Sequence, residues 1–126
     1  NSYIAVGYEQ GRLFQTAFSR EGDILWNNYL NDFESQSAIE VIKPAESNFY
    51  TLGTVRDSTD NVDIYLITSS SDGTISWKRR YGDKDTRENP VDIVSLGHNK
   101  LGIVSNYRHD GFYEIRFWKI PSTANE

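Results

Sequence analysis

Few residues in this chain stand close enough in sequence to do chemistry together, and the densest set is acidic. The stretch RDSTDNVD places Asp57, Asp60, Asn61 and Asp63 within one short segment, and hard oxygen ligands grouped in this way suit calcium. The spacing lacks the alternating acidic rhythm, the glycine and the distant Glu of an EF-hand, so the four residues form a candidate calcium site of another kind. Calcium is the one cofactor the sequence suggests. The stretch GDKDTRE adds Asp83, Asp85 and Glu88, with Lys84 and Arg87 as local counter-charges, and reads first as a salt-bridged turn. A Ser-His-acid set would need His98 or His109, each of which stands beside turn residues. Two isolated His also fall short of the three protein ligands of a catalytic zinc. Carboxylates for glycoside hydrolysis are numerous, but their separation is set by the fold and not by the sequence. No residue is therefore assigned a catalytic role, and the balance favours a protein that is not an enzyme.

The composition bounds the partners. With 126 residues, 37% hydrophobic, 13% aromatic and 25% charged, the chain suits one folded domain with a polar surface. The net charge of -5 and the lack of a basic stripe longer than Lys78-Arg79-Arg80 argue against nucleic acid as a partner. No apolar run approaches the roughly 18 residues of a membrane span, and no signal peptide stands at the front. The first residue is Asn1, which fits a processed form, a trimmed form or a piece of a longer protein. The chain has no Cys, which excludes disulfides and thiolate chemistry and leaves the compartment open.

The elements that must position these residues are written as a repeat. EGDILW at 21–26 returns as DGTISW at 72–77, a shift of 51. Ala38 to Ile42 falls on Pro90 to Val94, and Tyr29 on Tyr81, at a shift of 52; Ile64-Tyr65-Leu66 falls on Ile115-Arg116-Phe117 at 51, and Val6-Gly7 on Leu52-Gly53 at 46. The period-2 alternation predicts strands and no helix. A full unit has four, labelled a to d: about Ala38–Lys43, Phe49–Val55, Asp63–Ser69 and Thr74–Arg80. Strands b, c and d precede it near Tyr3–Tyr8, Arg12–Phe18 and Asp23–Leu30. Strands a, b and c follow near Val91–Leu96, Leu101–Asn106 and Phe112–Ile120, making ten in all. The recurring phrase predicts a tight c-to-d turn at Gly22 and Gly73, with Ile24 and Trp26, or Ile75 and Trp77, on one face of strand d. Each Trp is expected to anchor one unit on the next.

Four short strands repeating about every 51 residues are the pattern of β-propeller blades. The expected fold is all-β, with antiparallel four-stranded blades. The chain forms one module, comprising a partial blade over 1–31, a full blade over 37–82 and a partial blade over 90–120. Two and a half blades do not close a ring, so an open face is expected to bind another copy or other blades.

YIAVGYEQGRLFQTAFSREGDILWNNYL resembles a blade of the quinoprotein-like propellers, with their Val-x-Val-Gly strand and Gly-x-x-x-Trp turn. DIYLITSSSDGTISWKRRYGD is similar to a related repeat of secreted and surface bacterial proteins, matched at Asp63, Tyr65, Leu66, Gly73, Trp77, Tyr81 and Gly82. That repeat carries Asp three and Lys five residues before the turn Gly, where this chain has Ser70 and Thr68. The resemblance implies the architecture and an extracellular, cell-surface or periplasmic setting. It implies no pyrroloquinoline quinone, because no residue here matches a binding set for it.

In a blade the b-to-c and d-to-a connections emerge at one end. There the acids Glu9, Asp32, Glu34, Asp57, Asp60, Asp63, Asp83, Asp85, Glu88 and Asp110 face only Arg12, Arg56, Lys84, Arg87 and Arg108. The expected function is binding or scaffolding through this acidic loop end, with Tyr8, Phe33, Asp83, Asp85, Tyr107, Asp110 and Phe112 as candidate contacts to a protein or glycan. The alternatives are a carbohydrate-binding module, a fragment of a propeller enzyme such as a glycoside hydrolase, and a calcium-binding structural propeller. Lys78 and Arg80 are expected to discourage edge-to-edge pairing of strand d.

Overall fold

The computed structural model describes residues 2–30, 32, 35–44, 48–57, 61–83, 86–97 and 99–122. Among them the protein is all-β: β1 (Ser2–Glu9), β2 (Arg12–Ser19), β3 (Ile24–Leu30), β4 (Ser35–Ile42), β5 (Asn48–Arg56), β6 (Val62–Ser70), β7 (Ile75–Tyr81), β8 (Arg87–Gly97), β9 (Lys100–His109) and β10 (Phe112–Pro121). Each lies where the alternation places a strand. They form three antiparallel meanders, β1-β2-β3, β4-β5-β6-β7 and β8-β9-β10. The second and third are joined by one parallel pairing, Val62 with Arg87.

The repeat extends to backbone irregularities. β2 slips register against β3 between Ala17 and Phe18, and β6 slips against β7 between Thr68 and Ser69, 51 residues on. β4 and β8 slip at Ala38/Glu40 and Pro90/Asp92, 52 residues apart. The two c-to-d turns close with the same bonds. Gly22 N donates to Ser19 O and Ser19 N to Asp23 O, just as Gly73 N donates to Ser70 O and Ser70 N to Thr74 O. Both glycines have positive φ, 95° and 92°, the conformation for which the phrase carries Gly.

Two expectations are corrected by the bulges and the register of strand d. Ile75 pairs with Ser69 and Trp77 with Thr68, so the residue between them is the extra one, and Ile75 and Trp77 take opposite faces. Ile24 and Trp26 do the same against Phe18 and Ala17. The counterpart of Tyr81 is also not Tyr29. Tyr81 pairs with Ile64 and Leu30 with Leu13, so the shift stays at 51 through strand d. Leu30 is buried in its core and Tyr81 packs against the other one, while Tyr29 is exposed on the outer face.

The meanders stack face to face, and the cores lie between them. Leu13 and Leu30 of the first meander meet Val55, Tyr65 and Ile67 of the second. On its other face the second meander places Tyr50, Leu52, Ile64 and Leu66 against Ile93, Leu101, Ile103 and Ile120 of the third. β5 and β6 are therefore buried on both sides. Trp26 anchors the first meander on the second as expected: its ring stacks on Phe49 at 5.9 Å and 17°, and Nε1 donates to Ser71 O at 3.0 Å. Trp77 packs against the second core, near Tyr50. A buried polar layer accompanies the apolar one, with Gln15 Nε2 donating to Thr51 Oγ1 and Ser69 Oγ at 3.0 and 3.2 Å.

The equivalent glycines separate conformation from packing. A Cβ at Gly22 meets nothing within 4 Å, whereas one at Gly73 would lie 2.8 Å from the Trp26 ring. Both Ala substitutions suffer the positive-φ penalty of about 1 kcal/mol. Gly73→Ala is expected to lose about 1–2 kcal/mol more in urea unfolding, because it also displaces the Trp26 anchor.

Candidate functional site

Three local contacts gather the b-to-c and d-to-a connections at one end of the stack. Gln36 N, at the start of β4, donates to Gly11 O in the β1–β2 turn at 2.8 Å. Val62 at the start of β6 pairs with Arg87 at the start of β8, and Arg87 pairs with Arg108 beside the β9–β10 turn. That turn, Asp110-Gly111, has positive φ at both residues, 50° and 82°, the conformation of a two-residue hairpin that matches strand twist.

The acids at this end are matched by bases from the strands. Lys78 Nζ donates to Asp32 Oδ2, which also accepts from Tyr65 Oη at 3.1 Å. Arg80 Nη2 reaches Asp63 Oδ2 at 2.7 Å and Asp57 Oδ2 at 3.2 Å, with Nε donating to Asp63 Oδ2 at 3.0 Å. Arg116 Nη1 bridges Glu88 Oε1 at 2.9 Å and Asp83 Oδ2 at 3.0 Å. Lys78 and Arg80, on a strand that among the described residues pairs only with β6, thus also act within the stack, tying β7 to neighbouring acids. Three bases assigned to strands neutralise five of the ten acids counted at this end. The Lys78 hydrogen bond holds the Asp32 carboxyl below its ordinary value.

Of the candidate calcium ligands, Asp57 and Asp63 converge on Arg80, and Asn61 O closes the turn by accepting from Asp57 N at 3.4 Å; Asp60 lies outside the described residues. The guanidinium stands where two carboxylates call for a cation. Among the described residues, no group of three or more His, Asp or Glu is placed to hold a metal.

Of the candidate binding contacts, Tyr107, Asp110 and Phe112 come together, lining with Glu114 a pocket of about 170 Å³. Asp83 is tied to this group through Arg116, whose guanidinium lies 3.9 Å over the Tyr107 ring. Tyr8 is on β1 in the first meander, exposed and apart from the group, and Phe33 and Asp85 lie outside the described residues. Tyr107 also lines a larger cleft of about 640 Å³, where the start of β8 meets β5 and β6. Its polar lining includes Arg87, Asn89, Asn106 and Arg108, and Tyr113 adds a second ring. The sequence placed Arg87 and Arg108 at this end only as counter-charges, and missed Asn89, Asn106 and Tyr113 because they sit on strand ends rather than in loops.

Below the cleft two sets of hydrogen bonds fix Tyr107 and its surroundings. Trp118 Nε1 donates to Ser105 Oγ, Ser105 Oγ to Glu88 Oε2 and Tyr107 Oη to Glu114 Oε2, at 3.1, 3.1 and 2.5 Å. Glu88 is fully buried, and burial raises its carboxyl pKa despite the neighbouring Arg116. Glu40, just past the β4 bulge, is also raised, first by burial and then by the Asp92 carboxyl at the equivalent position of β8. The sequence matches no protein-family model and no curated protein.

Glu40 and Glu88 hold their protons more tightly folded than unfolded, so their contribution to stability is complete below the ordinary 4.5 and is lost as pH rises through the folded values. Unfolding free energy measured in urea is expected to fall between pH 4.5 and neutrality. Glu40→Gln is expected to flatten part of that slope and to raise stability at pH 7; an unchanged slope would show that the Glu40–Asp92 pair carries none of it.

Proposed function

We propose that this chain is a binding and scaffold module made of propeller-type repeats, of the quinoprotein-like kind, that takes a glycan or a protein at its loop end without catalysis. One observation carries the binding reading: two adjoining pockets share Tyr107, and the larger combines two tyrosines, two asparagine amides and two guanidinium groups. Rings take the apolar face of a sugar, and amides and guanidinium groups match its hydroxyl or carboxylate oxygens. The carboxyls nearest the cleft are engaged in structure, Glu88 by Arg116 and Ser105 and Glu114 by Tyr107. Ion pairing lowers the negative field at this end, so a neutral or acidic saccharide fits better than a basic partner. The propeller reading is supported by the repeated bulges and turns and by cores shared between successive meanders. By resemblance alone, the module works outside the cell, at its surface or in the periplasm.

The test is a glycan array carrying neutral and uronic-acid oligosaccharides, followed by titration of the best ligand. Tyr113 is 72% exposed, so Tyr113→Ala is expected to weaken binding at least about tenfold while leaving the melting temperature in place. No binding above background, or an unaffected variant, would overturn the glycan reading.

The calcium reading rests on the convergence of Asp57 and Asp63, and Arg80 competes with the metal for it. Millimolar calcium is expected to leave the melting temperature of the native chain unchanged and to raise that of Arg80→Ala, whose buried Asp63 has lost its counter-charge. A rise in the native chain would instead establish a metal site alongside Arg80.

A further inference from the structure

The two junctions inside this protein are of one kind, and the stack ends in the two halves of a third. Call face A of a meander the side carrying Phe49, Thr51, Tyr65 and Ile67 in the second one, and face B the side carrying Leu52, Ile64 and Leu66. Face B of the first meander, with Leu13 at its centre, packs on face A of the second. Face B of the second packs on face A of the third, through Leu101 and Ile103. Among the described residues, the first meander therefore presents an uncovered face A, and the third an uncovered face B.

Both uncovered faces carry the residue types that are buried at the inner junctions. On the third meander Ile115 and Phe117 are 78% and 57% exposed, while their counterparts 51 residues earlier, Ile64 and Leu66, are both 0% exposed. On the first meander Tyr3 and Ile24 are 54% and 67% exposed, whereas Phe49, the counterpart of Tyr3, is 0% exposed. The exposed rings are already ordered, with Tyr3 stacked on Phe18 at 5.5 Å and Phe14 beside Tyr29 at 6.2 Å. Contiguous apolar faces of this extent mark association surfaces.

We infer that a second copy of this chain covers these faces, with face B of one copy's third meander seated on face A of the next copy's first meander, repeating the junction found twice inside each chain. The pairing is head to tail. Unlike an isologous contact, in which one patch meets itself, it uses two different patches per copy and runs on to a closed ring or a filament. Tyr113 of the loop-end cleft lies on the same face of β10 as Ile115 and Phe117. Association is therefore measured without glycan, and glycan binding on the Ile24→Arg variant, whose face B is intact and uncovered; either reading can then fail without the other.

Light scattering behind size exclusion, over a concentration series of the whole chain, is expected to show a mass of at least twice the 14.5 kDa of one chain. Ile115→Arg blocks face B and Ile24→Arg blocks face A; both positions are exposed, so each variant is expected to keep the native melting temperature. Each alone is expected to be monomeric, because it retains only one of the two patches. Mixed in equal amounts they are expected to form a one-to-one complex through the surviving A and B faces. A native chain that stays monomeric at all concentrations would overturn the inference and reserve the faces for further repeats of a longer chain. A single variant that still dimerises alone would overturn it in favour of a like-to-like contact.

Discussion

Everything in this fold follows from the two-sidedness of its meanders. A strand such as β6 buries Ile64 and Leu66 on one face and Tyr65 and Ile67 on the other, so a single meander cannot satisfy its own apolar surface. An isolated sheet of this kind would leave both faces in water, at about 25 cal/mol for each Å² of apolar area. Stacking is the solution, and it makes stability a property of junctions rather than of units. The second meander is the only one with both faces covered by described neighbours, and its β5 and β6 hold most of the fully buried residues. The β1-β2-β3 and β8-β9-β10 meanders each draw their burial from one side.

The junctions are held in register by polar groups as well as by apolar area. Apolar contact is indifferent to a small slide between layers, whereas the Gln15 bonds to Thr51 and Ser69, the Trp26 bond to Ser71 and the Lys78–Asp32 pair are directional. A slide would break several at once and leave Gln15 buried without partners, at a cost of about 1–3 kcal/mol for each unsatisfied group. The exposed pairs among them add little energy singly. Their effect is to select one arrangement of layers.

Strand number, order and approximate limits were legible because alternation, turn residues and the repeated phrase all report on backbone shape. Two things were not. The bulges at Thr68/Ser69 and Ala17/Phe18 insert one residue into a period-2 pattern, which the alternation of two apolar residues, Ile and Trp, does not reveal; a one-residue slip reverses every side chain beyond it. That is why Ile75 and Trp77 separate; Tyr81 answers to Leu30 because both copies carry the same bulge and the shift stays at 51. The electrostatics were hidden for a related reason. Lys78, Arg80 and Arg116 lie in strands, yet their long side chains run along the sheet to acids at its end, so a count by loop overstates the negative charge there. Of the binding candidates, the Tyr107, Asp110 and Phe112 group emerged because a hairpin joins them locally. Asn89, Asn106 and Tyr113 needed the strand pairing to bring them in.

The two ends of the stack differ in how closely the repeats agree, and this difference bears on where specificity resides. At the c-to-d end the two turns share their backbone bonds, with the main chains of Ser19 and Ser70 and of Gly22 and Gly73 in the same roles. Such sameness is what a structural device requires. At the loop end the same strand positions diverge: Arg116 stands where the second meander has Tyr65, and Tyr81 where the first has Leu30. These departures cost the fold little, since the strands keep their pairing, but they create the buried Glu88–Arg116 pair, the ring of Tyr107 beneath that guanidinium and the cleft beside it. A repeat that varies at one end of a rigid stack while holding the other constant has separated the residues that build it from those free to recognise something else.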